Sequence, residues 1–440
     1  MSLRRVLLTR DVAWMVVGNM VGAGIFITPG LVAGHLPGAA WILAVWIVGG
    51  LLALSGAAVY GELGSRVPEA GGDYRFLHVA FGPVPAFLSG WSAFALTFSA
   101  AAAAMVLSVV DRLRHAWPVL VDWDPSGGRI LGVTLLLALT AANAAGLRQA
   151  GRVTVWLTAL ALAGLVGLAV VGLLLADSPW MGRPRWWTPP VGSWPVAVGA
   201  ALVPIYFTYS GWNAAAYVAG EIKDASRALP RGLGIGTAAV MSLYVGVNLL
   251  LVLVLPAGDL AGSTTAMEDA THVLLGTGAE RVLAAVIALA ILGSANVTLM
   301  AGARIYYAMG RDGIIPASMG RVNAAGVPGT SLWISGIWSA LLVLWGRFHV
   351  LVGWATLAIL LISSLTVVGL YVLRSRGDEP PAFRCPGYPL TPALYLTVSL
   401  GVALAGAVSE PVAALIGVAI VLAGIPMYYL LSRRSGQTGG

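Results

Sequence analysis

Two short stretches hold the residues of this chain best suited to binding chemistry. The first is Gly18-Asn19-Met20-Val21-Gly22-Ala23-Gly24-Ile25-Phe26, and the second is Phe207-Thr208-Tyr209-Ser210-Gly211-Trp212-Asn213. Each interrupts a long apolar run with glycine. A helix broken inside a membrane frees backbone groups that lipid cannot satisfy, so they must face protein, water or a ligand. At Gly22-Ala23-Gly24 a half-helix would start with unpaired N–H groups and the positive end of its dipole, a cradle for a carboxylate. Carbonyls near Met20 and Val21, and others near Phe207 and Ser210, suit an ammonium. Side by side, the two cradles fit the backbone of an α-amino acid. Gly18 and Gly22 also form a G-x-x-x-G, and Ser210-Gly211 is a weaker signal, so helix packing is the competing reading of each stretch.

Bond-breaking chemistry has few candidates. His35, His78, His115, His272 and His349 fall in loops or at span ends, no H-E-x-x-H occurs, and the single thiol is Cys385. A nucleophile with its base, or a metal cluster, is what an embedded enzyme needs. Neither an enzyme nor a bound metal or cofactor is expected.

The elements that position the two stretches follow from composition. Hydrophobic residues make up 58% and charged residues 10% of the 440, against about 45–50% and about 25% in soluble domains. Charge-free runs of about 20 residues can cross the hydrocarbon as helices. They are predicted at 11–33, 38–64, 83–110, 128–147, 152–176, 195–220, 231–255, 280–308, 329–347, 350–373, 391–409 and 412–432, giving twelve. Continuous Ala, Leu and Gly runs exclude the alternation of a β-barrel. With the N-terminus inside, eighteen of the 25 basic residues fall on the cytoplasmic side, so both termini are expected there. The net charge of +7 reflects this topology rather than nucleic-acid binding. The first span is expected to be retained rather than cleaved. Loops are short, so 1–440 reads as one transmembrane domain. The two glycine stretches sit in spans 1 and 6, at corresponding positions of two halves. Five spans separate them, so span 1 runs opposite to span 6, the relation that inverted repeats require.

Four segments together resemble the amino acid–polyamine–organocation superfamily, closest to the L-type amino acid transporters and their bacterial relatives. They are Gly18–Phe26; Tyr60-Gly61-Glu62-Leu63-Gly64 with Pro68-Glu69-Ala70-Gly71-Gly72-Asp73-Tyr74; Tyr209–Asn213 with Glu221 and Leu229-Pro230; and Pro381–Pro389. The resemblance implies a LeuT-like fold with spans 1–5 (about 11–176) and 6–10 (about 195–373) as inverted repeats. Helices 1 and 6 would be discontinuous and two further helices (about 391–432) appended. It also implies alternating access. Carried over by position, Gly22, Ala23 and Gly24, with Val21 and Ile25 beside them, would hold the substrate carboxylate. Met20, Phe207 and Ser210 would offer carbonyls to the ammonium, and Phe207 would be an aromatic lid. The family's span-5 lysine falls at Ala161 here, so that fixed ammonium is missing. Ser294 could join span-1 carbonyls around sodium, or bond its own backbone. Animal relatives carry a cysteine after span 3 for a disulfide-linked heavy chain. Asp111–Arg129 contains none, so no such partner is expected, and a monomer or weak homodimer is.

Side-chain selectivity is expected from Trp91, Asn213, Asn296 and Trp354. No Asp, Glu, Lys or Arg lies near the middle of a span, so neutral amino acids are the expected substrates of a plasma-membrane permease or exchanger, an inner-membrane one in a bacterium. A polyamine or organocation carrier of the same superfamily, and a non-transporting amino acid sensor, are the alternatives. Glu62, Arg66, Glu221 and Arg227 could form an inner gate, or be solvated helix ends. Tyr244 and Asn248 are expected to steady the inner half of span 1.

Overall fold

A computed structural model of the chain describes residues 5–117, 125–146, 184–189, 192–377 and 380–435, with a few residues between 159 and 174. Among them are helices and no strand, apart from an isolated bridge between Leu7 and Ile222. The first half contains α1 (Thr9–Met20), α2 (Ala23–His35), α3 (Ala39–Arg66), α4 (Asp73–Phe81), α5 (Pro83–Ser92), α6 (Phe98–Ala116) and α7 (Pro125–Ala144). The remainder begins with α8 (Trp194–Thr208), α9 (Ala225–Val254), α10 (Ala257–Leu260), α11 (Ala266–Leu275) and α12 (Thr277–Arg311). It ends with α13 (Gly329–Trp345), α14 (Phe348–Ser375), α15 (Leu390–Ser409) and α16 (Pro411–Ser435).

Eight helices are long and apolar enough to cross a membrane, and the α1–α2 pair, bent by 49°, makes nine among the described residues. The sixth predicted span is shorter than a crossing helix because it breaks: α8 stops at Thr208, and a 3-10 segment, Trp212–Glu221, continues beyond Gly211. The ninth, α13, has 17 residues. Most of the fifth predicted span, 152–176, lies outside the described residues, Ala161 included. Two stretches expected as plain connections are helical, α4 after span 2 and α10–α11 across 257–275. Both are amphipathic rather than apolar, which hid them from a reading based on charge-free runs. Span 3 is continuous but carries a π-turn, Ala93–Thr97, where α5 meets α6.

Prolines mark several starts, Pro83 on α5 and Pro411 on α16, where the missing N–H costs nothing. The interior packs α1 and α3 against α9, α6 against α12 and α7 against α13. Outward faces remain apolar: Leu400, Leu404, Val408, Val412 and Leu415 on α15 and α16 are all more than half exposed. A continuous strip of that kind is a liability in water and a lipid-facing surface in a bilayer.

Candidate functional site

The first break is short and sharp. Val21 (φ −76°, ψ 80°) leaves the helix, Gly22 is extended, and α2 restarts at Ala23, with Gly22 N–H turned back onto Met20 O at 2.8 Å. The opening turn of α2 has no side-chain cap for the N–H groups of Ala23 and Gly24, whereas that of Gly22, also expected to be unpaired, is taken by Met20 O. At the second break Ser210 N–H and Ser210 Oγ–H both donate to Phe207 O, at 3.0 and 2.6 Å. Gly211 then takes φ +99°, a left-handed conformation that only glycine adopts freely.

The two breaks touch. Asn19 Nδ2 donates to Gly211 O at 3.0 Å, and the Thr28 and Thr208 hydroxyls lie 2.6 Å apart. Tyr244 Oη on α9 donates to Met20 O at 2.6 Å and reaches Thr208 O at 3.4 Å, so one phenol spans both ends. Behind it, Trp46, Tyr209 and Tyr244 form a buried aromatic cluster. Asn248, expected to share the task of Tyr244, instead donates to the Tyr244 carbonyl of its own helix. Ser294 Oγ donates to Asn19 O at 3.2 Å rather than to its own helix.

Between the breaks lies a cavity of about 70 Å³ bordered by Met20, Gly22, Ala23, Gly24, Phe207, Ser210 and Asn213, with no Asp, Glu, Lys or Arg in its lining. That is room for several waters, hence for a small zwitterion. Val21 and Ile25 are buried outside the lining. Met20 O and Phe207 O each already accept two donors, which uses both lone pairs of a carbonyl. Among the described residues no donor reaches Ser210 O.

Three expected specificity residues lie elsewhere. Ser294 and Thr298 face α1, so Asn296, about 200° around the same helix, faces α7, where Asn143 Nδ2 donates to it at 2.5 Å. Ile359 and Ser363 of α14 line the cavity, which turns Trp354 toward the Ala358–Val421 cluster. Trp91 is held to α16 by a hydrogen bond to Ile420 O. A count of residues per turn from Ser294 or Ser363 would have excluded the first two, but neither anchor was known to face the breaks. Asn19, inside a recognised stretch but not singled out, is the side chain that joins the breaks.

A family model described as amino acid permease matches residues 7–433. The chain belongs to that family. The permease is 30% identical to the large neutral amino acids transporter small subunit 2 of Mus musculus over 427 residues, 94% of this chain and 79% of the relative. It is 28% identical to the Asc-type amino acid transporter 1 of Rattus norvegicus over 428 residues, 94% and 79% of the two chains. The b(0,+)-type amino acid transporter 1 of Mus musculus is 27% identical over 423 residues, 94% and 85%. The permease is accordingly a multi-pass membrane transporter and not an enzyme.

The two ends of the permease differ. On the side of His35, Arg112 and Phe348 lies a vestibule of about 810 Å³ that shares no lining residue with the cavity, and a buried Arg112–Glu268 ion pair borders it. The opposite end carries a set of ion pairs. Glu62 binds Arg66 and Arg374, and Glu221 binds Arg304 on α12 at 2.9 Å, while Arg227, grouped with them in the sequence reading, makes no ion pair among the described residues. Arg227 follows the left-handed Asp224 at the start of α9 and engages it through its backbone N–H.

Replacing Tyr244 by Phe should lower initial uptake about fivefold, the equivalent of the ~1 kcal/mol net worth of one buried hydrogen bond. Unchanged uptake in proteoliposomes would exclude the hydroxyl from the working of the breaks.

Proposed function

We propose that this permease carries neutral amino acids across a plasma membrane, or the inner membrane of a bacterium, by alternating access. The single observation that carries this is the cavity between two broken helices, lined by backbone dipoles and hydroxyls with no charged side chain. The α2 N-terminus at Gly22–Gly24 takes the carboxylate, Ser210 O takes the ammonium with Met20 O and Phe207 O behind it, and the Phe207 ring covers the substrate. Asn213 faces its side chain. A polyamine or other organocation would need an acid in that lining, and its absence weighs against the alternative. The names of the relatives, a large neutral amino acids transporter among them, support the neutral class.

The architecture that fits best has twelve spans in a LeuT-like arrangement, residues 11–176 and 195–373 as inverted repeats and 391–432 appended, with both termini cytoplasmic. In that orientation the vestibule faces outward and the Glu62 and Glu221 ion pairs close the cytoplasmic gate. The sole cysteine is buried in the 376–389 connection, so no disulfide to a heavy chain is proposed.

Counterflow in proteoliposomes tests the reading. Labelled leucine and alanine should exchange at rates at least tenfold above arginine, with sodium and a pH gradient varied in parallel. A preference for arginine would overturn the neutral class, and saturable binding without counterflow would make the protein a sensor.

A further inference from the structure

Asp73 is the one carboxylate in the described interior that is held by neutral groups alone. It opens α4, is 6% exposed, and has no ion pair among the described residues, whereas Glu62, Glu221 and Glu268 each bind an arginine. Its donors come from three different elements. Tyr60 Oη on α3 and Thr366 Oγ1 on α14 (2.8 Å) donate to Oδ1, and Tyr217 Oη on the 3-10 segment donates to Oδ2 at 2.5 Å. The titratable groups facing it among the described residues are phenols: Tyr60 and Tyr217, then Tyr206 of α8 and Tyr395 of α15. The charges of α4 and its neighbours, Arg75, Glu69 and Asp312, pair with one another on its other face, where His78 Nδ1 lies 4.0 Å from Asp312.

Asp73 is also connected to the substrate cavity. Asn213, in the cavity lining, donates to Tyr217 Oη at 3.2 Å, and the Tyr217 hydroxyl donates in turn to Asp73. A side chamber of about 20 Å³, bordered by Asp73, Ser89, Thr97, Asn213, Tyr217 and Ser363, shares four of these residues with the main cavity. That volume admits one water.

We propose that Asp73 is the proton-binding site of this permease, ionised while α3, α4, α14 and the 3-10 segment are packed as here and protonated when they part. This rests on the transport reading above. The reasoning is energetic. A buried carboxylate without a counter-ion costs several kcal/mol, and three donors offset that cost only while their helices stay together. Burial already pushes the carboxyl up, against the downward pull of the three hydrogen bonds. Losing donors raises its proton affinity further, so proton uptake stabilises the parted state and acid favours it. The site supplies the titratable group that Ala161, in place of a lysine, does not.

The test is counterflow of labelled leucine between pH 5 and 8, with a pH dye trapped inside the vesicles. The wild-type rate should change at least fivefold over this range, and an inward leucine gradient should shift the internal pH. Asp73→Asn should keep counterflow but flatten its pH profile and abolish the dye response. Tyr217→Phe removes one donor and should raise the midpoint by about one pH unit, which keeps the test open if the Asn variant fails to fold. A pH-independent wild type, an unaltered Asn profile or an unmoved midpoint in Tyr217→Phe overturns the assignment. Absence of any amino acid counterflow in the wild type overturns the transport reading itself.

Discussion

Leucine uptake by a Gly24→Val variant should fall about 100-fold relative to wild type. A Cβ built at Gly24 lies 2.7 Å from Thr208 Oγ1, 2.8 Å from Thr208 Cα and 3.0 Å from Thr208 Cβ. The backbone of α8 is therefore in the way, not only the end of a side chain that can swing aside. Overpacking of this kind costs about 1–3 kcal/mol, and a valine branch in the first turn of α2 adds χ1 restriction where the carboxylate cradle is built. At the upper end, ~2.7 kcal/mol corresponds to 100-fold in rate. The substitution forces α2 from α8 and separates the N–H groups of Gly22–Gly24 from the carbonyl of Ser210. A second-site variant isolates the cause. Thr208→Gly removes Oγ1 and Cβ, so the Gly24→Ala, Thr208→Gly double variant should recover part of what Gly24→Ala alone loses, a coupling that independent sites do not show. Wild-type uptake by Gly24→Val would mean that the two breaks do not need their close approach.

The glycine at 24 also shows what was legible beforehand and what was not. Interrupted apolar runs pointed to both breaks, because Gly22, Gly24 and Gly211 sit where an uninterrupted helix has no need of them. Which surface each break faces was not legible. Gly24 was read as room for a carboxylate, yet its missing side chain faces Thr208, so close packing of the two breaks by itself requires a glycine there. Tyr244 was placed through a family pattern, and its hydroxyl does reach Met20 O. Asn296 and Trp354 show the opposite outcome. Apolar helices have nearly the same composition on every face, so hydrophobic periodicity gives no rotation angle, and only the partners across the interface, Asn143 and Val421, fix it. Asp73 was quoted as part of a recognised stretch, but its burial depends on Tyr60, Tyr217 and Thr366, three residues distant in sequence from one another.

Removing the Glu62 side chain should have the other large effect, on conformation rather than on binding. Glu62 is fully buried and gathers three elements: Arg66 of its own helix at 2.9 Å, Arg374 of α14 through Nε at 2.9 Å, and the backbone N–H of Cys385 at 2.7 Å. Arg374 in turn lies over the Tyr388 ring at 3.7 Å. Glu62→Ala leaves two guanidinium groups and one N–H without their acceptor. Removing one partner from a buried pair costs ~3–5 kcal/mol, and the lower figure applies here because Arg66 and Arg374 retain 11% and 20% exposure. If the cluster is the gate proposed above, only the packed form loses that stabilisation and the population should move toward opening on the Arg66 side. Cys385 reports the change without engineering, since it is the sole thiol. Burial, with the Glu62 charge beside it, pushes that thiol up to about 11, and only the thiolate reacts. Wild-type protein should therefore label slowly with a maleimide at neutral pH. Glu62→Ala exposes the thiol and removes the nearby negative charge, and both changes accelerate labelling, by at least about tenfold for each pH unit the thiol falls. An impermeant maleimide applied separately to each face of oriented vesicles shows which side opens, and labelling from the extracellular face would reverse the proposed orientation. A Glu62→Ala protein that labels as slowly as wild type would mean that this cluster holds the 376–389 connection in place without controlling access to the cavity.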